Sequence, residues 1–363
     1  MGNNKIYDIA VVGGGPGGAT FARLIASKYS VALLDGKHFS GDGGPEKCCG
    51  GLLNPDAQKL FAQFGLGIPL SIMEDPQIFA VRTIDLETKS EKYYNRMYVN
   101  INRHKFDLWL ASLIPPHVEI IDRAKCIEIT SERDAFLLTY HQGGKSNTIR
   151  SRYIVGADGA RSVVRDTFCP IPIRRYLAIQ ESYSDNEDFI PEYAVFFDHN
   201  ITDCYGWINR KDDKIQLGAA LYSQTGKQDF EKLRQVFLSK GYPFDKPTKR
   251  EACLVCRPKR LKEIQTGNGN VFLIGEAAGF VSTSSLEGIS NAMHTGAILA
   301  DAFNKSDNPE KYYRKKTRWL KLNMLLKMFK ACVIYTPFLR KVVMKSGVTT
   351  IKVRTNPHRT EEL

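Results

Sequence analysis

Apolar residues along the chain gather into short unbroken runs, and three of these stop at glycine. Residues 9–12 end at Gly13-Gly14-Gly15, residues 153–155 at Gly156, and residues 271–274 at Gly275. A run of this kind has no polar side to turn to water, so it predicts a strand covered on both faces, as in a parallel sheet flanked by helices. Residues 31–34 repeat the run and end at Asp35. Helical spacing follows the first run at 19–26 and returns at 103–113, where positions 106, 109, 110 and 113 are apolar. Further helices are expected at 54–61, with Asn54 as cap and Pro55 in the first position, near 228–239 and at 291–303. Residues 78–99 and 117–155 alternate instead, the second stretch around a Gly143-Gly144 turn, and predict antiparallel strands. Short β segments dominate 170–265, among them 193–198, 204–209 and 214–221. The glycine-dense stretch 36–51 is too long for a plain connection, and loops of that kind usually carry function.

The first glycine cluster is spaced Gly13-x-Gly15-x-x-Gly18 between a strand and a helix. Gly13 suits a tight turn, Gly15 lets a pyrophosphate approach the backbone, and Gly18 lets the helix pack on the strand. Phosphate would then sit at the helix start, where unpaired N–H groups point outward. Asp35 stands about where a carboxylate takes the ribose hydroxyls of an adenosine. The second run passes through Gly156-Ala157-Asp158-Gly159 into a helix start, and the third through Gly275-Glu276-Ala277-Ala278-Gly279 towards Gly288-Ile289 and the 291–303 helix. Each brings a carboxylate and free backbone amides to the end of a buried strand.

Composition changes this picture only at the C-terminus. With 363 residues, 43% hydrophobic and 25% charged, the chain has ample length for a core and a cleft. The net charge of +12 is local, because 311–360 holds fourteen Lys or Arg and no Asp or Glu. No recognition motif accompanies these cations, so nucleic acid is not expected. Within the tail, 319–330 is amphipathic and basic, and two readings stand: peripheral contact of 311–354 with an anionic membrane surface, or packing on its own domain with a solvated basic edge. No run of eighteen apolar residues predicts a spanning helix. Eight cysteines without scaffold spacing, and no leader pattern, lead us to expect reduced thiols and a cytoplasmic protein, compatible with attachment to the cytoplasmic face of a membrane. Cys253-x-x-Cys256 has no second pair and reads as strand packing rather than a metal site. His104, His199 and His294 show no ligand spacing, and hydrolase motifs are missing.

In this order the three glycine-and-acid motifs resemble those of the p-hydroxybenzoate hydroxylase superfamily of FAD proteins, with Glu276 where that family has Asp. Within it the chain is similar to the geranylgeranyl reductase branch over roughly residues 6–305. Lys47-x-Cys49-Gly50-Gly51, Arg103-x-x-Phe106-Asp107-x-x-Leu110 and Tyr205-Gly206-Trp207-Ile208 match that branch's loop, helix and substrate motifs. The substrate motif departs at its end, where Phe-Pro stands as Asn209-Arg210, polar groups in place of an apolar lip. The halogenase motif Trp-x-Trp-x-Ile-Pro is missing.

The resemblance implies a mixed α/β (α+β) fold. A Rossmann-like FAD-binding domain would comprise 1–75, 100–168 and 266–305, an inserted antiparallel β-sheet substrate domain 76–99 and 169–265, and a basic helical region 306–363. It implies that Gly13, Gly15, Pro16, Gly17, Gly18, Asp35, Lys47, Cys49, Gly50, Arg103, Asp158, Gly159, Gly275, Glu276, Gly288 and Ile289 hold FAD. In this reading Asp35 takes the adenine ribose, Arg103 the phosphate or ribityl region, and Asp158 with Glu276 the middle of the cofactor. A helix-surface ion pair is the other reading of Arg103. Cys49 is either the thiol that positions or protonates a C=C bond after hydride leaves the flavin, or a small residue tolerated in a tight loop. Tyr205 and Trp207 share one strand face and either line the substrate cavity or pack in the core. The implied activity is hydride transfer from reduced flavin to a C=C bond of an apolar small molecule, isoprenoid or lipid-like. A monooxygenase or a non-catalytic flavin- or lipid-binding protein are the alternatives. The electron donor, NAD(P)H or another, and the oligomeric state stay open.

Overall fold

The computed structural model describes residues 5–39, 47–184, 193–222 and 224–352. Part of the glycine-dense stretch, 40–46, and the tail beyond 352 lie outside the described residues.

The unbroken apolar runs become the parallel centre of one sheet. Strand Ile6–Val12 pairs in parallel with Val31–Leu34 on one side and Lys145–Gly156 on the other. Val118–Ile121 and Val271–Leu273 extend the sheet in parallel at either flank. Lys125–Ser131 and Phe136–Gln142 add an antiparallel meander, and the Gly143-Gly144 turn that joins Phe136–Gln142 to Lys145–Gly156 has both φ angles positive (56° and 77°). That conformation matches the twist of a two-residue hairpin loop. Helix Pro16–Leu24 starts with its proline already at a helical φ and packs on Ile289–Lys305. The contact is close because a Cβ on Gly296 would lie 2.4 Å from the Gly17 carbonyl oxygen. Asn54 caps helix Pro55–Gln63, its Oδ1 accepting from the Ala57 N–H at 2.9 Å.

The second sheet runs in the order Lys249–Cys256, Arg175–Ser184, Lys214–Leu221, Gly206–Lys211, Tyr193–Phe197, Ile78–Asp85, Ser90–Asn100, Thr350–Ile351. It differs from the all-antiparallel expectation at one pair, Tyr193–Phe197 beside Ile78–Asp85, which is parallel. More than ninety residues separate these strands, and a connection of that length lets a strand return in the same direction. Helix Gly226–Leu238 buries Phe230, Leu233 and Phe237 against this sheet.

The C-terminal region is helical at Pro309–Lys316, Arg318–Tyr335 and Pro337–Ser346, and then departs from expectation by adding the edge strand Thr350–Ile351 to the second sheet. It bridges both layers. Leu320, Met324 and Met328 pack with Val12, Ile154 and Leu273 of the parallel sheet. Arg340 reaches the other layer, its Nε donating to Asp85 Oδ2 at 2.8 Å and its Nη2 to Glu87 Oε2 at 2.7 Å, with Asp85 fully buried. Removing one partner of a buried pair strands the other charge. Arg340→Met is therefore expected to destabilise the protein by about 3–5 kcal/mol in urea unfolding; a change below about 1 kcal/mol would show that the bridge is incidental.

Candidate active site

Three strand ends meet at one edge of the parallel sheet. The Ala157 N–H donates to the Val12 carbonyl (2.7 Å), and the Ile274 N–H to the Gly156 carbonyl (3.0 Å). Gly13, with φ at 104°, turns so tightly against the second motif that a Cβ there would stand 2.5 Å from the Ala157 oxygen. A Cβ on Gly15 would meet nothing within 4 Å, so the next position faces open space. Helix Pro16–Leu24 has no side-chain cap, which leaves its first N–H groups for an anion in that space. Asp35 sits beside it. Its Oδ2 accepts from the Gly14 N–H at 2.5 Å and its Oδ1 from the Lys37 N–H at 2.7 Å.

Next along the edge, the Asp158-Gly159 and Gly275-Glu276 turns face each other, with Glu276 Oε2 only 3.5 Å from where a Gly159 Cβ would be. Both carboxylates are engaged by the protein. Asp158 accepts from Ser162 Oγ at 2.5 Å and the Val163 N–H at 2.7 Å, which anchors the start of helix Val163–Phe168. Glu276 accepts from the Cys256 N–H at 2.9 Å and pairs with Lys47, 229 residues away. Burial pulls the Lys47 ammonium down, but the charge and hydrogen bond of Glu276 together with nearby Cys253 outweigh it and leave the lysine raised. A carboxylate oxygen accepts more than one hydrogen bond, so these engagements leave room for a ligand hydroxyl.

Arg103 is not on the helix surface. Helix Arg103–Ser112 turns it inward, its Nε donates to Asp107 Oδ1 at 2.9 Å, and Lys37 closes on Asp107 Oδ2 at 2.5 Å. Asp107 is buried, and although burial pushes its carboxyl up, the Arg103 and Lys37 charges hold it below the ordinary range. The Arg103 guanidinium also stands within interaction range of Cys49.

The loop 47–51 is pinned on every side. Cys49 Sγ accepts from the Gly51 N–H at 3.4 Å. Gly51, at φ 61°, lies so close to the Ile101 carbonyl that a Cβ would be 2.3 Å from it. Asn209, the residue that breaks the expected substrate motif, is fully buried and donates from Nδ2 to the Gly50 carbonyl at 3.0 Å. The polar substitution thus turns towards the cysteine loop. Lys211, which sequence reasoning did not single out, donates to Glu74 Oε2 (2.8 Å), Asn100 Oδ1 (2.7 Å) and the Ile101 carbonyl (2.7 Å). Burial lowers its pKa. Cys253 Sγ lies 3.2 Å from the Cys48 carbonyl oxygen, a contact no spacing rule suggests. All eight cysteines are free, and among the described residues no group of three or more His, Cys, Asp or Glu side chains has the arrangement of a metal site.

Phenols gather around Glu287 and the 284–285 loop. Tyr98 donates to Glu287 Oε1 at 2.8 Å, and Asn54 Nδ2 to Glu287 Oε2 at 3.0 Å. The Tyr193 ring lies 5.9 Å from Tyr98, and the hydroxyl of this partly buried tyrosine is raised by desolvation and by the Glu287 charge. Tyr205 donates to the Ser285 carbonyl at 2.7 Å and Tyr335 to the Ser284 carbonyl at 2.9 Å. Trp207 is 5.9 Å from Tyr205 but has a packing role: its indole lies over Gly218 and its Nε1 donates to Gln180 Oε1 at 3.0 Å. Gly288 opens helix Ile289–Lys305, again with no side-chain cap.

Residues 125–178 match the FAD binding domain family. CbrA of Escherichia coli O6:H1 is 42% identical over 349 residues, spanning 95% of this chain and 94% of that protein, and CbrA of Escherichia coli K12 is equally similar over 98% of its length. The chain belongs to the CbrA family. Among solved structures it resembles a geranylgeranyl bacteriochlorophyll reductase-like protein from Thermoplasma acidophilum (TM-score 0.76, 17% identity, 93% of this chain and 91% of that one). It also resembles PqsL, a probable FAD-dependent monooxygenase from Pseudomonas aeruginosa (0.70, 15%, 95% and 99%), and the flavin-dependent brominase Bmp2 (0.66, 17%, 94% and 93%). The chain therefore has the fold of this group of FAD-dependent oxidoreductases, with FAD as its cofactor.

The residues present fit that cofactor. Two uncapped helix starts and the open side of Gly15 suit a pyrophosphate and an electron-rich ring. Asn209 Oδ1, beside the cysteine loop, and Asn291 Nδ2, in the first turn of Ile289–Lys305, are buried without a partner among the described residues. A ring bearing both donors and acceptors would satisfy them.

Burial pushes Asp158 from its ordinary 3.8 up to about 6. A raised carboxyl holds its proton more tightly when folded, so this group's stabilising contribution is complete below about pH 4 and is lost as pH climbs through about 6. In flavin-free protein, Asp158→Asn should gain stability relative to the parent on going from pH 4 to pH 7, by on the order of 2 kcal/mol in urea unfolding. A difference that stays flat with pH would contradict the assignment.

Proposed function

We propose that the protein reduces C=C bonds of an apolar, lipid-like molecule such as an isoprenoid. The reading is supported by the surroundings of Cys49, whose sulfur accepts from the Gly51 N–H and stands within interaction range of the Arg103 guanidinium and the Tyr193 phenol. When bound, reduced FAD supplies a hydride. The chain's own groups do the rest. The glycine turn and the start of helix Pro16–Leu24 bind the phosphates, and Asp35 lies where it would orient the adenosine. The Lys47–Glu276 pair and the Arg103–Asp107–Lys37 chain fix the middle of the cleft electrostatically. Tyr98, Tyr193 and Tyr205 would offer aromatic surface to an apolar substrate, with Glu287 held by Tyr98 and Asn54. The Cys49 thiol would deliver a proton to the carbon next to the one that receives hydride, with Arg103 steadying the sulfur left behind. Support comes also from the similarity in fold to the geranylgeranyl bacteriochlorophyll reductase-like protein.

The test is anaerobic. FAD-loaded protein, reduced with dithionite and mixed with a short polyprenyl alcohol, should reoxidise and yield a product heavier by two hydrogens. Cys49→Ala should retain the flavin spectrum while slowing that reoxidation about a hundredfold. Oxygen uptake with a product heavier by one oxygen, and no anaerobic turnover, would replace this reading with a monooxygenase.

A further inference from the structure

Helix Arg318–Tyr335 is apolar on two opposite sides. One side buries Leu320, Met324, Met328 and Ala331. The 3.6-residue repeat puts Trp319, Leu322, Leu326, Phe329 and Val333 on the other, where they are 64%, 44%, 57%, 64% and 37% exposed. A helix lying on a globular body in water ordinarily turns polar residues outward. This one turns out a Trp, a Phe and three aliphatics in an unbroken stripe, flanked along the same helix by Arg318, Lys321, Lys327 and Lys330. Helix Pro337–Ser346 meets the preceding helical run at 92° and continues the pattern with Phe338 (72% exposed), Val342, Lys341 and Lys345. No single described helix is long and apolar enough to cross a membrane.

We propose that these two helices dock in the interfacial layer of an anionic lipid bilayer, the stripe among the acyl chains and the flanking cations among the headgroups. Charge decides the occupant. A 3-4-3-4 spacing of 319, 322, 326, 329 and 333 would also serve as a coiled-coil seam, but a second copy brings the same fourteen cations without one acid in 311–360 to compensate them. An anionic surface neutralises them and takes the apolar stripe at once. Trp and Phe suit the interface, and the long lysine stems let their ammoniums stay in the headgroup layer. The face is held rigidly to the catalytic body by Leu320, Met324 and Met328 on one sheet and by Arg340 on Asp85 of the other. Tyr335, at the end of the first helix, donates to Ser284, next to the Ser285 carbonyl that Tyr205 uses. The bilayer would thus lie near the 284–285 loop that Tyr205 and Tyr335 both hold; taking this as the substrate's route rests on the proposed apolar substrate, whereas docking itself does not.

The experiment is flotation of the full-length protein with vesicles of phosphatidylcholine alone or mixed with phosphatidylglycerol, together with tryptophan emission. Trp319 is the exposed tryptophan, Trp207 being buried and Trp109 partly so, and its emission should shift to the blue on binding. Flotation should require phosphatidylglycerol, weaken as salt rises, and fall about tenfold or more in both Trp319→Gln/Phe329→Gln and Lys321→Gln/Lys327→Gln/Lys330→Gln. These positions lie on the outward side or its flanks, so unchanged circular dichroism and melting should show that both variants fold. Failure to float with either vesicle, equal binding to neutral vesicles, or a dimer that Phe329→Gln dissolves in protein that does not float would overturn the proposal. None of these readouts involves turnover, so failure of the reductase reading leaves them unaffected.

Discussion

Everything about the site rests on a contact between backbones. The Gly13 turn lies so close to Ala157-Asp158 that no side chain fits between them, and Ile274 hydrogen-bonds to Gly156 from the other side. Parallel strands aim their C-terminal ends the same way, and right-handed crossovers return the intervening helices to the sheet faces. Three separate stretches of sequence are thereby brought to one edge, each stopping at a glycine where the chain must turn without a Cβ. Uncapped helix starts then face that edge, and their free N–H groups become the attractive feature of the cleft. The arrangement leaves these helix starts without a side-chain cap, which suits them to a dinucleotide's phosphates.

The second sheet does more than cover this cleft. Asn209 fastens it to the cysteine loop at Gly50, Lys211 ties the same strand to Asn100 and Ile101, and Glu276 reaches the end of Lys249–Cys256 through the Cys256 amide. Substituting Asn209-Arg210 for the Phe-Pro of related sequences looks, from the motif alone, like a loss of apolar lip. The structure gives Asn209 another task, since its buried amide holds the Gly50 carbonyl of the loop that carries Cys49.

Some of this was legible before any coordinates. Unbroken apolar runs ending in glycine gave the parallel strands, Asn54-Pro55 a capped helix start, and Gly143-Gly144 a hairpin, because each is a local pattern with one physical solution. What stayed hidden depends on distant residues meeting. Lys47 and Glu276 are 229 positions apart, Tyr98 and Glu287 are 189 apart, and Lys211 looks like any strand lysine until three acceptors are seen around it. The parallel pair in the second sheet was equally invisible, since direction is set by how the long intervening segment returns. The tail was read as amphipathic with a choice of partners; packing shows one apolar side taken by the body and a second left exposed.

The central claim is that the three strand ends and the 47–51 loop form one FAD site per chain. Titration of flavin-free protein with FAD, followed by visible absorbance and by the quenching of flavin fluorescence, tests it most directly when repeated with Gly15→Asp, which places a carboxylate in the open space reserved for phosphate. The account predicts saturation at one flavin per chain in the parent and loss of at least about a hundredfold in affinity in the variant. Saturation of both proteins with equal affinity, or no binding by the parent, would contradict it.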